Sequence, residues 1–522
     1  MLCLPYRGKS HITQGWIMKT KINTGASVNK IPLVLTACLT AAVIPLSIAG
    51  PAVVVPSINQ ALGGSAIELS WVINAYILTY GSATMAAGSL ADIHGRKKLW
   101  LLGLLLFAVV TAAIPYMPSV FWVDILRLIQ GLGAAAAFAG SMAALTQEFE
   151  GHQRTRIFSL IGTTFGAGAA FGPFLAGLLI DTLGWPWVFW LPSLVALAAS
   201  ILVSIYARET RDPDAEGLDW PGAITFTLSL AVFTYGIILA PEKGWGNSIV
   251  LTTLICAVIV FIVFIVIERQ RSKPMLDLSL FANARFVGVQ LLAIAPAYAY
   301  VVLLVILPAR FIGVEGYSAL EAGQMMIALS APLLIVPFIA GQLARWINVG
   351  VLSGLGLIIA AIGLFWLGYG ISGDTTAERL WPMLVIGIGI GLPWGLMDGL
   401  AVSVVPKERA GMATGIFNAV RLAGDGIALA VVGAVLSAHI ASGLNTQGSV
   451  PTDILSEIST RLAMSDLHNA VAIHPSLDKS LLYKVYEEAF RYQLIALAVA
   501  AAITAILVFI LLGKVKSHSE SK

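Results

Sequence analysis

An all-α integral membrane fold is what this 522-residue sequence predicts: about fourteen transmembrane helices, as two six-helix bundles plus two extra central helices, with both termini cytoplasmic. Three observations predict it. Only 11% of the residues are charged while 58% are hydrophobic, and the mean hydropathy is +0.87. Soluble chains are about 25% charged, so this chain lacks the polar groups to cover a water-facing surface. Its charges are gathered in short clusters between apolar runs of spanning length. Finally, the basic residues alternate from one loop to the next.

Residues 1–30 are polar and carry Arg7, Lys9, Lys19, Lys21 and Lys30. They read as a cytoplasmic tail, not a cleaved leader, because the apolar run that follows is of spanning length. Met1 and Met18 are both candidate starts. A bilayer core takes roughly 20 apolar residues per helix. Spans are accordingly expected near 31–56, 70–91, 99–117, 121–144, 157–180 and 186–206, an N-terminal bundle over 31–206. The two extra helices, near 219–240 and 248–267, fall with their linkers in 207–284. A C-terminal bundle over 285–513 takes spans near 285–308, 321–343, 349–370, 381–405, 410–438 and 490–513, and 514–522 is a second tail.

Loop charge tests the count. With the N-terminus inside, 22 of the 31 Lys and Arg residues fall on the cytoplasmic side, among them Arg96, Lys97, Lys98, Arg154, Arg156, Lys407 and Lys514. Seven fall outside, and Arg127 and Arg421 lie within spans. The positive-inside rule fixes orientation from this asymmetry, and a missing or extra span would break it. One long outer loop remains, about 440–489, in which 477–492 has apolar positions at helical spacing. Either an amphipathic helix lying on the outer face or a plain connector fits.

Faint repeats relate the bundles. Gly88-Ser-Leu90-Ala91 ends the second span and Gly341-Gln-Leu343-Ala344 the tenth, and the Gly-rich fourth span is echoed in the twelfth. The echoes lie eight spans apart, which two interposed helices explain; such duplication is common in secondary transporters. The net charge of +3 is too small to suggest a nucleic-acid partner. Cys38 and Cys256 sit in apolar runs and Cys3 in the tail, so no disulfide framework is read.

The loop after the second span reads Gly88, then Asp92, then Gly95, Arg96, Lys97 and Lys98. Asp92 at a helix C-terminus opposes its own helix dipole and needs a positive partner; Gly95 permits a tight turn. This loop resembles the signature of the major facilitator superfamily, G-x-x-x-D-R-x-G-R-R/K. The fourth span's Arg127, Gln130, Gly131 and Gly133 are similar to that family's R-x-x-q-G-x-g motif. The fifth span's Gly168, Gly172, Pro173, Ala176 and Gly177 resemble the motif of its drug/proton antiporter branch, where small residues allow close helix packing and proline kinks the span. Asp219-Trp220-Pro221-Gly222, Gly244-Trp245, and the stretch from Glu268 through Lys273-Pro274 and Asp277 to Phe286 resemble the fourteen-span members in particular.

Two departures stand against that pattern. Where the family's first span carries a membrane-embedded acid, this chain has Ser47, with Pro51 following mid-helix; and Ile93 replaces the basic residue after Asp92. The resemblance implies a secondary transporter in a bacterial plasma membrane, exporting drugs or antiseptics in exchange for protons, with no cofactor and the proton gradient as energy source. The same fold also accommodates an exporter of one endogenous metabolite, such as an organic acid, amino acid or siderophore, or a sensor that no longer transports.

No G-x-x-x-x-G-K-[ST] loop appears, and the glycine clusters lie inside spans, so neither an ATPase nor a dinucleotide site is expected. Nor does the sequence assemble metal-ligand or nucleophile–base spacings. That leaves the charges inside spans, which are expensive and functional by default. Asp124 and Arg127, three apart in the fourth span, either neutralise each other or serve coupling. Asp398 in the twelfth span either faces a cation or partners Arg421. Arg421 and Asp425, four apart, share a helical face. Asp425 is the expected proton site and Asp398 the cation-facing group. Tyr298, Tyr300 and Trp394 are candidate aromatic contacts for a lipophilic cation, or merely helix- and lipid-facing rings.

Overall fold

The computed structural model describes residues 30–149, 151–211, 219–271, 278–371, 373, 375–405, 410–446, 452–473 and 478–513. All of the expected N-terminal tail but Lys30, the expected tail 514–522, and the basic loop residues Lys273, Lys407 and Arg409 lie outside them. Among the described residues no strand occurs. The first six helices are α1 (Ile31–Leu62), α2 (Ala66–His94), α3 (Arg96–Ala113), α4 (Val120–Glu148), α5 (Gly151–Leu183) and α6 (Trp187–Tyr206). They pack on one another through α2–α4, α3–α4, α1–α5 and α3–α6. Next come α7 (Trp220–Lys243) and α8 (Ser248–Gln270), which pair with each other. α7 also leans into the seam between α2 and the later helix α16 (Ala410–Thr446).

The second set comprises α9 (Ala284–Pro296), α10 (Val302–Gly313), α11 (Ala319–Ser330), α12 (Pro332–Leu343), α13 (Val349–Gly370), α14 (Thr376–Trp394), α15 (Met397–Ser403), α16, α17 (Thr452–Ala463), α18 (Leu467–Ile473) and α19 (Lys479–Leu512). A π-helical turn, Ala297–Val301, joins α9 to α10, while α11 and α12 meet at Ala331. Among the described residues twelve stretches are long and apolar enough to cross a membrane, and up to thirteen if the two segments of α5, Leu160–Ala169 and Phe171–Leu183, bent by 44°, make one span. Pro173 explains that bend, since its missing N–H leaves the Ala169 carbonyl without its helical partner.

Chain ends and caps follow local chemistry. Ser65 and Ser318 open α2 and α11 as capping boxes with Glu68 and Glu321. Asp219, Asn247, Asn348 and Asp478 each accept a backbone N–H at a helix start. Gly95, at φ +113°, turns the chain between α2 and α3 in a backbone conformation that side chains rarely adopt.

The long loop differs from expectation. No separate amphipathic helix lies over 477–492; α19 runs unbroken from Lys479 to Leu512. Neither proline nor glycine interrupts it, and the apolar positions Leu482, Val485, Tyr486, Ala489 and Phe490 continue the buried stripe of Leu494, Leu497, Ala498 and Ala501. The stripe that suggested a surface helix is the first part of the last span's packing face. Next to it, Arg310 at the end of α10 is fully buried, bonded to Glu315 at 2.9 Å and Glu487 at 3.2 Å, with Arg379 closing on Glu315 at 2.6 Å. The two cations and two carboxylates compensate each other, as buried charges must.

Candidate functional site

The structure has two ends: the one bearing the 92–98 turn, the loop end, and its opposite, the far end. At the loop end, Asp92 and Arg96 close on each other across Gly95, with Arg96 Nε and Nη2 donating to Asp92 Oδ1 at 2.9 and 2.7 Å. The residue that completes this turn escaped the sequence reading. Glu209, just past α6, accepts the backbone N–H groups of Lys97 and Lys98 at 3.2 and 3.1 Å. An anion at the N-terminus of α3 satisfies its orphan donors and its dipole. Lys97 Nζ reaches back to the Ser204 carbonyl at 2.8 Å, so the turn is stapled to α6 from both sides. Gly88 lies on the α2 face one turn before Asp92, and a Cβ there would meet nothing within 4 Å.

Within the first six helices, Arg127 is fully buried and holds three of them together. Its Nε donates to the Val72 carbonyl of α2 at 2.7 Å, Nη2 to the Ser47 carbonyl of α1 at 2.9 Å, and Nη1 to Gln130 at 2.6 Å; its Cζ lies over the Tyr76 ring, 4.5 Å from the centroid. The two departures in α1 are physically linked here. Pro51 has no N–H, so the carbonyl four residues earlier, that of Ser47, loses its helical donor. Arg127 supplies one. The Ser47 hydroxyl itself is buried without a hydrogen-bond partner. Asp124, one turn away, lies within electrostatic range of Arg127 and Glu68, and its Oδ1 has no hydrogen-bond partner.

The α5 glycines bring helices close. A Cβ on Gly168 would stand 2.7 Å from the Ala42 carbonyl oxygen of α1, and one on Gly172 2.9 Å from Ala49 Cβ. Further along, Gly177 abuts the Ala319 carbonyl of α11, while Gly323 of α11 abuts Pro173 and Phe174 of α5. Among the described residues three bonds join the helix sets at this far end: Leu320 N to Asp181 at 3.1 Å, Asn59 Nδ2 to Asp466 at 3.1 Å, and Ser70 Oγ to Met464 Sδ at 3.5 Å. Toward the loop end, Leu160, Gly162 and Thr163 of α5 are exposed, as are Phe338 and Ile339 of α12.

Between the two sets lies a cavity. Pro45 and Ile48 of α1 and Phe165 of α5 line it from one side; Tyr300, Trp394, Arg421 and Asp425 line it from the other. The guanidinium of Arg421 rests 4.4 Å from the Trp394 ring centroid and 5.9 Å from that of Phe165. Tyr300 meets Trp394 edge to face at 5.8 Å and donates to Ser330 Oγ at 2.9 Å. Its position on the π-helical turn turns its ring toward the cavity; such turns recur at functional sites. Asp425 is buried, and Asp398, on the short helix α15, is exposed; both lie within electrostatic range of Arg421.

Of the residues singled out from sequence, the structure gathers Arg421, Asp425, Tyr300 and Trp394 around this cavity, with Asp398 nearby. Asp124 and Arg127 sit apart, in the packing of α1, α2 and α4. Tyr298 points elsewhere, its hydroxyl 2.6 Å from Thr504 of α19. Phe165 and Tyr80 were missed. Tyr80, on α2, is within electrostatic range of both Arg421 and Asp425. An aromatic residue inside a glycine-rich span was the only sequence signal for Phe165. Among the described residues no group of His, Cys, Asp and Glu could hold a metal ion.

Comparison with known proteins adds a family. The model of the Major Facilitator Superfamily matches residues 37–429. "Multidrug resistance protein Stp" of Mycobacterium tuberculosis is 30% identical over 75% of this chain and 73% of its own length. "Tetracenomycin C resistance and export protein" of Streptomyces glaucescens is 26% identical over 74% and 72%, and "Puromycin resistance protein pur8" of Streptomyces alboniger 28% over 76% and 80%. Among solved structures, a bacterial homolog of the human lysosomal transporter Spinster matches with a TM-score of 0.64 at 15% identity, over 95% of this chain and 100% of that one. A D-xylose–proton symporter matches at 0.61, also at 15% identity, over 93% and 99%.

Proposed function

This chain belongs to the Major Facilitator Superfamily, and from that premise we propose that it is a proton-coupled exporter of lipophilic drugs and antiseptics, cationic ones included, in a bacterial plasma membrane. The observation that carries the reading is the pair of carboxylates, Asp425 and Asp398, grouped with Arg421 beside a cavity that both helix sets line. Relatives named for multidrug, tetracenomycin C and puromycin resistance support the cargo class. Fourteen spans complete this reading, with α2 as the fourteenth: its 29 residues rise about 43 Å, enough to cross a bilayer. Both termini and the 92–98 turn are then cytoplasmic. The two bundles are 31–206 and 285–513, with 207–284 between them.

The mechanism needs only mutual exclusion. An ionised Asp425 holds cargo against the electrostatic field of the cavity; the bundles rock, and the cavity opens outward. A proton from outside then forms an O–H bond to the carboxylate, its negative charge is lost, and the cargo leaves. Return of the cavity inward releases the proton to the cytoplasm. No energy source besides the proton gradient enters. Because two ligands compete for one state-dependent group, their exchange is obligatory. Asp425 is the proton site and Asp398 the group facing a cationic cargo. Asp124 and Arg127 are kept as a second coupling pair.

The test is uphill export in proteoliposomes with an imposed pH gradient. Asp425→Asn and Asp398→Asn should each abolish accumulation of ethidium against its gradient, with downhill equilibration surviving in one of them. If the double variant still pumps, coupling lies elsewhere. One observation favours a second reading, export of a single endogenous metabolite: Ser47 stands where the family's usual acid would be. Susceptibility profiling of a deletion strain against dyes, biguanides and quaternary ammonium compounds separates the two, since only the first reading expects several unrelated compounds to become toxic.

A further inference from the structure

The cavity already contains a cation. Arg421 places its guanidinium within reach of an aromatic ring from each helix set, 4.4 Å from Trp394 and 5.9 Å from Phe165. The aromatic surface extends past these two. Phe165 lies 6.3 Å from Phe138, which lies 6.3 Å from Tyr80, and Tyr300 closes on Trp394 from the other side at 5.8 Å. Asp425 and Asp398 supply negative charge around the same guanidinium. Aromatic rings with carboxylates near the same cation form an arrangement that recognises a delocalised, weakly hydrated cation, and guanidinium is the protein's own version of one.

We propose that Arg421 is a tethered occupant of the cargo's cation slot, so that a cargo binds by displacing the guanidinium from Trp394 and Phe165. This rests on the reading that the cavity carries cargo, and it narrows the cargo to flat, delocalised monocations. The charge count gives the valence. With both carboxylates ionised, two negative charges and one positive leave the site at −1. One monocation neutralises it, and so does one proton, which makes the two electrically equivalent and mutually exclusive. A dication overshoots. The planar ring faces select for shape, because a flat, delocalised cation offers them the largest contact, as the guanidinium does over Trp394.

The experiment uses the purified full chain in lipid nanodiscs, with ethidium as the flat monocation and propidium as its dicationic analogue. Arg421→Gln frees the slot and should tighten ethidium by at least about tenfold, the scale of a desolvated cation–aromatic contact. It should also let propidium bind, since the site then stands at −2. In a Trp394→Leu background the same substitution should tighten ethidium by clearly less than it does beside Trp394, only the change in charge remaining, a non-additivity expected of groups that share one contact. An equal gain with and without Trp394 would mean that charge alone is responsible and would overturn the proposal. Weakened ethidium binding in Arg421→Gln would overturn it too, since Arg421 would then be a cargo ligand.

A second measurement needs neither cargo nor transport. Arg421→Ala leaves a guanidinium-sized vacancy, so ethylguanidinium should raise the thermal midpoint of that variant and leave the wild type and Arg421→Ala/Trp394→Leu unmoved. Equal response of all three sinks the slot. Should wild-type cells fail to extrude ethidium while ethylguanidinium still stabilises Arg421→Ala alone, the export reading has failed and the slot has survived.

Discussion

At the far end of the cavity Gly323 of α11 lies so near α5 that a Cβ there would stand 2.6 Å from Phe174 Cα and 2.7 Å from the Pro173 carbonyl oxygen. Ordinary contact begins at 3.4 Å, so Gly323→Val requires the helices to withdraw by about 0.8 Å at this point. Both obstructing atoms are backbone and neither can rotate aside. Overpacking of this kind costs about 1–3 kcal/mol. The strain exists only while α5 and α11 touch. In a conformation with the far end separated it vanishes, so the substitution acts on the balance between conformations and shifts it roughly 5- to 150-fold toward far-end opening. Spin labels at Leu183 and Gly316, in a background freed of its three cysteines, read that balance as a distance distribution by pulsed electron paramagnetic resonance. Gly323→Val should lengthen the 183–316 distance. Gly341→Val in the same span, where a Cβ meets nothing within 4 Å, should not. An unchanged distribution in a Gly323→Val protein of normal expression and thermal stability would refute the idea that the α5–α11 contact holds the far end shut.

Three further outcomes follow from the geometry. Arg127→Leu removes the donor shared by the Ser47 and Val72 carbonyls and strands that of Ser47, which Pro51 leaves without a helical donor, so a loss of about 1–3 kcal/mol is expected; the thermal midpoint and expression level should both fall, and retention of the wild-type midpoint would count against the three-helix role. Asp92→Asn should slow transport while leaving equilibrium cargo binding largely intact, and Glu209→Gln should do the same by uncapping α3; loss of binding in a folded Asp92→Asn protein would move Asp92 into the binding site. A cysteine at Asn445 should react with an impermeant maleimide added outside intact cells and one at Ser519 should not; the reverse pattern overturns the inward assignment of the 92–98 turn.

Much of the helical framework was legible because burial in a bilayer demands long apolar runs, and those runs are local in sequence. The expected span 349–370 coincides with Val349–Gly370, and 31–56 starts where α1 starts. Ends were less legible: α1 continues to Leu62 through three prolines, and α16 to Thr446, because helices extend beyond the hydrocarbon where their polar ends remain hydrogen-bonded. The 477–492 segment shows why periodicity alone misleads. A buried stripe has the same spacing whether it faces a membrane surface or a neighbouring helix, and only the uninterrupted backbone of α19 distinguishes them.

By itself the sequence determined the class of the protein, the helical segments, the glycine turn at 92–98 and the charged residues inside spans, since each depends on composition or on spacing within one element. Tertiary structure decided which of those charges meet. Arg421 and Asp425 share a helix face by spacing, but their aromatic surroundings come from Phe165, 256 positions earlier in the chain, and from Trp394 on another helix. Arg127 and Asp124 had the same claim by spacing, yet the close packing of α1, α2 and α4 directs Arg127 onto backbone carbonyls, one of them left without its helical donor by Pro51. Inside a membrane the cost of an unsatisfied polar group is set by whatever neighbour the fold brings up, and that neighbour is not written in the local sequence.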